Sequence, residues 1–96
     1  MERPDAGRRP HLVLTREGAV PALSAVLAVP ATRTIRHIPT EVALGVEDGM
    51  PDDCVLSLDN TRVMAKELFR ERICTLTPDR MREVCRALGY ATACAG

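Results

Sequence analysis

Short apolar runs separated by turn-forming residues fill the first three quarters of the chain. His11–Thr15 (HLVLT) follows a proline and is rich in branched side chains, and Ser24–Val29 (SAVLAV) follows the Pro21 loop. Thr40–Leu44 (TEVAL) sets Thr40, Val42 and Leu44 against Glu41 and Ala43, and Cys54–Asp59 (CVLSLD) follows a turn-like EDGMPDD. Phe69–Leu76 (FRERICTL) interleaves Arg and Glu with apolar positions. Length and alternation predict a strand at each of these five runs. Val63–Leu68 reads as a short helical turn. The acidic 47–53 stretch, with Gly49 and Pro51, reads as a turn in solvent.

The end of the chain has a different period. Met81, Val84, Cys85 and Leu88 fall at i, i+3, i+4 and i+7 and predict one apolar stripe on a helix. Thr77 suits its N-cap, Pro78 its first position, Asp79 its first turn and Gly89 its C-terminal stop. Five strands and a terminal helix at this length predict a mainly β domain: a small, strongly curved sheet or barrel with the helix packed on it.

Ninety-six residues make a single domain, 1–96, whose polar first seven residues (1–7) read as a flexible N-terminal segment. Aromatic residues are only 2%, Phe69 and Tyr90, which argues against a stacking platform for single-stranded nucleic acid. Net charge is zero, but residues 41–61 hold six acids and no Lys or Arg, while both flanking segments carry a surplus of three positive charges. A basic surface built from the two ends is therefore compatible with overall neutrality. Cys54, Cys74, Cys85 and Cys94 form no CxxC pair and no Cys/His cluster, so no metal site is expected. Their placement in apolar runs and on a helix fits reduced thiols and a cytoplasmic protein. The uncharged stretch Ala19 to Thr32 is too short and too proline-broken to cross a bilayer, and no membrane association is expected.

Three polar spots can carry chemistry. Gly7-Arg8-Arg9-Pro10 stands just before a strand, where the proline restricts Arg9 to extended backbone and so fixes a guanidinium whose planar donor fork matches phosphate oxygens. A basic tail without a task has the same composition. Ala31-Thr32-Arg33-Thr34 ends an apolar strand in hydroxyl and guanidinium groups, which is where a rigid scaffold presents reactive side chains, though threonine also suits a strand exit. Asp59-Asn60-Thr61-Arg62 follows the fourth strand and can read base edges, yet turns use the same residue types. His11 and His37 are an acid–base pair only if the fold unites them; His11, opening an apolar strand, reads as structural. No Gly-rich phosphate loop or nucleophile signature is present.

GRRPHLVLTRE, AVPATRTIRHIPTEVAL, CVLSLDNTR and FRERICTLTPDRMREVCRAL, in that order, resemble the MazF/PemK family of toxin–antitoxin ribonucleases from about Gly7 to Leu88. The resemblance implies a small SH3-like β-barrel with a C-terminal helix. It implies the toxin of a type II pair, a metal-independent, cofactor-free, sequence-selective endoribonuclease that cuts single-stranded mRNA by 2′-OH attack. It also implies a homodimer held inactive by a cognate antitoxin. The family's catalytic arginine, before the proline of its xRP motif, falls on Arg9, and its catalytic threonine, closing the strand before a variable loop, falls on Thr32. Arg8, Arg33, Thr34 and Asn60 are the expected RNA-binding positions. The alternative is a non-catalytic barrel of the CcdB type that acts by binding protein such as gyrase, or a decoy that sequesters antitoxin. Family members carry an RGE(I/V)W-like strand well before the xRP motif. With only a polar segment of eight residues ahead of Arg9, the expectation is that either the true start lies upstream or the barrel lacks that first strand.

Overall fold

The computed structural model describes residues 1–3, 9–69 and 71–94. Among these, the strands are β1 (Glu2–Arg3), β2 (His11–Val13), β3 (Ala25–Thr32), β4 (Glu41–Leu44), β5 (Cys54–Ser57), β6 (Arg62–Ala65) and β7 (Glu71–Arg72), followed by one helix, α1 (Pro78–Ala91). All pairings are antiparallel, in the order β4-β5-β3-β2-β1-β7, with β6 joined to β3. The sheet is mainly β with a C-terminal helix as the sequence predicts, but it is not closed.

β3 is the spine of this arrangement. One of its edges carries β2; the other carries β6 along Ala25 to Ala28 and β5 at Ala31 and Thr32. Pro30 sits inside the strand without breaking it. The Ala31 N–H bonds the Pro10 carbonyl at 2.9 Å, so strand alternation turns Pro30 to the opposite edge, where the partner changes from β6 to β5. A missing N–H costs no ladder bond at such a switch. The strand therefore runs three residues beyond the predicted end at Val29 and delivers Thr32 to its tip.

Two further elements differ from the sequence reading. Residues 62–65 form a strand and only 66–68 a 3₁₀ turn. Val63 faces solvent, so the apolar alternation that marks a half-buried strand is missing there. The predicted strand Phe69–Leu76 shrinks to Glu71–Arg72, because its partner β1 is only two residues long.

The polar N-terminus supplies that partner, contrary to the expectation that it provides no strand. Glu2 pairs with His11 and Arg72, the Met1 carbonyl accepts from the Ile73 N–H at 2.8 Å, and the Met1 side chain is buried in the core. Backbone pairing and one apolar side chain suffice where hydrophobic alternation is absent. Of the segment 1–7 that the sequence reads as flexible, Glu2 and Arg3 are paired in a strand, and residues 4–7 lie outside the described residues.

Leu12, Val29, Leu44, Leu56 and Leu58 meet Val84 and Ala87 of α1 in one core. Burying each large side chain contributes roughly 1.5–3 kcal/mol. The helix begins as predicted: Thr77 accepts the Arg80 N–H at 3.2 Å, and Pro78 opens the first turn. Its stripe is Met81, Val84, Ala87, Leu88 and Ala91, while Cys85 is exposed. Gly89 does not stop it, since packing of Leu88 and Ala91 on the core holds two more residues in the helix.

Candidate active site

The β2–β3 register places the two resembling motifs together. His11 is opposite Pro30, and the Pro10–Ala31 bond extends the register, so one step further Arg9 lies across from Thr32. Directly opposed residues in an antiparallel pair have Cβ atoms roughly 4.5–5.5 Å apart. Both line a cleft of about 470 Å³ with Arg3, Pro10, Ala31, Arg33, Thr34, Met50, Pro51, Asp52 and Cys54. Three guanidinium groups stand there against one carboxylate, so the cleft favours anions although the whole chain is neutral.

Local bonds orient the polar groups. Thr32 Oγ1 accepts the Thr34 N–H at 3.2 Å, the short turn that threonine forms at strand exits, which leaves the hydroxyl proton free for another acceptor. Arg33 Nη2 meets Asp52 Oδ2 at 2.5 Å, and both side chains are mostly exposed. Cys54 is buried in the cleft wall, and burial, reinforced by Asp53 and Asp48, pushes its thiol above the ordinary range and makes it a poor nucleophile. The loop after Thr32 is pinned at its far end. Glu41 Oε1 accepts the Arg36 and His37 N–H groups at 2.9 and 3.1 Å, and Thr40 donates to Asp59 at 2.6 Å. His37 adopts φ = 57° within it.

The opposite wall hangs on the helix. Asp48, in the 3₁₀ turn 46–48, accepts from Arg80 Nε at 2.8 Å and from the Gly45 N–H at 3.0 Å; its side chain is 6% exposed. The acidic stretch is therefore not all a solvent turn: the Asp48 side chain is covered by its pairing with Arg80 of α1, and Met50, Pro51 and Asp52 follow directly into the cleft.

Of the residues read from sequence, Arg9, Thr32, Arg33 and Thr34 share this cleft. Asn60 is not brought to it; its amide donates to Ser57 Oγ at 2.8 Å. Arg8 lies outside the described residues. Neither His11 nor His37 lines the cleft, so the fold does not unite them there as an acid–base pair. Sequence reasoning missed Arg3 and Asp52. Arg3 lay in a segment read as flexible and Asp52 in one read as a solvent turn, and neither sits in a motif.

An open antiparallel sheet capped by one helix, with an arginine-rich cleft at the tip of its longest strand, defines a small β domain with a cationic cleft. The profile of the PemK-like, MazF-like toxin of type II toxin–antitoxin systems matches residues 2–91, and the chain belongs to that family. It is 42% identical over 89 residues to "Probable endoribonuclease MazF2" of Mycobacterium tuberculosis, an alignment covering 92% of this chain and 87% of the relative. Among solved structures, "Mycobacterium tuberculosis toxin MazF-mt6" superposes with a TM-score of 0.85 at 31% identity, covering 95% of this chain and 91% of the other. "Endoribonuclease in complex with its cognate antitoxin from Mycobacterial species" superposes with a TM-score of 0.82 at 29% identity, covering 94% and 87%.

Proposed function

We propose that this protein is the toxin of a type II toxin–antitoxin pair and an endoribonuclease that cleaves single-stranded mRNA through its own 2′-OH, with Arg9 and Thr32 as the catalytic residues. The observation that carries the reading is their opposition across the β2–β3 register on the wall of one cationic cleft.

The 2′-oxygen attacks the adjacent phosphorus and gives its proton to solvent, the P–O5′ bond breaks, the departing O5′ takes a proton from solvent, and a 2′,3′-cyclic phosphate and a 5′-hydroxyl result. No protein nucleophile is consumed, which fits a cleft whose thiol is buried and protonated. As charge builds on the non-bridging oxygens, the Arg9 guanidinium neutralises it, the kind of preorganised electrostatics that often supplies the largest share of catalysis. A guanidinium offers only donors and no acceptor, so Arg9 acts as cation and donor and not as base. The free proton of the Thr32 hydroxyl bonds a phosphate oxygen and fixes the attack angle. Arg3 and Arg33 hold neighbouring phosphates, and loop 33–40 presents groups to splayed bases. In this reading the charge is neutralised by guanidinium groups, and cleavage proceeds without a metal ion. The protein acts in the cytoplasm as a homodimer restrained by an antitoxin protein; the described residues contain no helix long and apolar enough to cross a membrane. Leu27 and Val63, opposed on β3 and β6 and both exposed, offer an apolar surface for the second copy.

The test is incubation of the purified protein with a long RNA in EDTA, with mapping of both ends of each cut. Cleavage leaving 5′-hydroxyl ends, lost in folded Arg9→Ala and Thr32→Ala, is expected. A 5′-phosphate product, or intact RNA with wild-type protein, refutes the mechanism; inhibition of gyrase alongside intact RNA would establish the protein-binding alternative.

A further inference from the structure

The Arg9 main chain is held by a buried histidine ring. Strand alternation faces the Pro10 carbonyl to β3, where Ala31 binds it, and turns the Arg9 carbonyl to the other edge. Among the described residues no backbone N–H reaches that carbonyl. His11 Nδ1 does, at 3.0 Å, and since a carbonyl only accepts, the ring nitrogen donates. His11 is 7% exposed, and its ring stands at 64° to Phe69 with centroids 6.1 Å apart.

The chemistry of the ring argues that this bond is its purpose. With the proton on Nδ1, Nε2 is a buried lone pair that has no partner among the described residues. An apolar side chain of similar volume avoids that unsatisfied group and is the more stabilising occupant of a strand in this environment. What imidazole supplies and leucine does not is the Nδ1 donor. Burial first, and then the charges of Arg62 and Arg9, favour the neutral ring over the cation, against the Arg9 carbonyl bond.

We propose that His11 is a positioning residue for the cleft: its Nδ1–H, bonded to the Arg9 carbonyl, holds Arg9 in register opposite Thr32. The bond fixes the Arg9 backbone from one edge while the Pro10–Ala31 bond fixes the segment from the other. The guanidinium then leaves a rigid base. The inference rests on the reading of Arg9 as catalytic, and it assigns a task to the histidine that the cleavage chemistry itself does not use.

The test compares His11→Asn, His11→Gln and His11→Leu in the intact protein, each first shown to be folded by thermal denaturation. Asparagine places an N–H donor where Nδ1 was; glutamine places one where Nε2 was; leucine places none. Single-turnover cleavage of a long transcript in EDTA is measured as the maximal rate and the protein concentration giving half of it. The maximal rate is expected to fall about 10- to 100-fold in His11→Leu and His11→Gln, the size of effect that ångström-scale misplacement produces. Half-saturation is expected to change less than about two-fold, and His11→Asn to recover most of the rate. A folded His11→Leu with wild-type rate overturns the proposal. If His11→Leu does not fold, equal rates for Asn and Gln overturn it. Nitrogen-15 NMR of the ring supplies a readout independent of cleavage: a proton on Nδ1 is expected, and a proton on Nε2 alone overturns the tether. Full activity in Arg9→Ala, in contrast, would remove the catalytic reading of Arg9 while leaving the ring measurement to report on the bond itself.

Discussion

The pairing of Asp48 with Arg80 ties the acidic turn to the helix, and its removal has a calculable cost. The Asp48 side chain is 6% exposed and receives bonds from Arg80 Nε at 2.8 Å, Arg80 Nη2 at 3.3 Å and the Gly45 N–H at 3.0 Å. Breaking a fully buried ion pair by removing one member costs about 3–5 kcal/mol. Arg80 is a quarter exposed and retains Glu83 at 3.0 Å and Glu47 at 3.5 Å, so Asp48→Asn leaves it partly compensated. Asparagine also keeps one acceptor oxygen for Gly45 or Arg80. The expected loss is about 2 kcal/mol, or a fall in Tm of about 10 °C for a domain of this size.

The pH dependence of that loss identifies its cause. Burial pushes the Asp48 carboxyl up, but the Arg80 and Gly45 bonds outweigh it, and the folded-state value lies below the ordinary one. A carboxyl depressed on folding contributes stability above its unfolded value, about pH 4, and loses that contribution as pH falls through the depressed folded value. Denaturation of both proteins, followed by circular dichroism at pH 7 and stepwise into acid, should show the gap closing below about pH 4. A gap under about 0.5 kcal/mol at pH 7, or one that persists unchanged in acid, would refute the assignment of this pair as the anchor of the turn.

Other consequences follow from the same geometry. Asp52→Asn frees Arg33 from an exposed pair worth at most about 1 kcal/mol, so half-saturation by RNA should fall up to about five-fold, with Tm unchanged and no further effect in Arg33→Ala; a collapse of the maximal cleavage rate would instead make Asp52 a participant in proton transfer. Burial lowers the His11 pKa against the opposing Arg9 carbonyl bond, and Arg62 and Arg9 lower it further. Its contribution to stability is thus complete above about pH 6.5 and lost as pH falls below that, a decline that thermal melts should show in the wild type and not in His11→Asn. Thr77→Ala should cost about 1 kcal/mol through loss of the N-cap, read by urea denaturation, and leave cleavage by the folded protein unchanged. Leu56→Ala, at a fully buried position, should cost about 2–5 kcal/mol in the same assay.

The parts of the fold legible in the sequence are those governed by neighbours along the chain. Thr77-Pro78-Asp79 sets the start of α1 because a cap and a fixed φ act within one turn. TEVAL marks β4 because one face alternates between core and surface, and the Arg9-Pro10 and Thr32-Arg33-Thr34 motifs mark where polar groups leave apolar strands. The Gly89 stop, by the same kind of reasoning, failed because distant packing outweighed a weak local preference.

The sequence by itself determined, then, a mainly β chain with a helix at its end and the two motifs whose Arg9 and Thr32 share the cleft. Only the tertiary structure decided that polar Glu2–Arg3 is a strand, that Pro30 lies at a change of partner, that the Asp48 side chain is paired with Arg80, and that a histidine ring fastens Arg9 opposite Thr32. The reason is physical: alternation along a strand states which face is apolar, but not which edge will be met, by whom, or in what register, and the cleft is made of those choices.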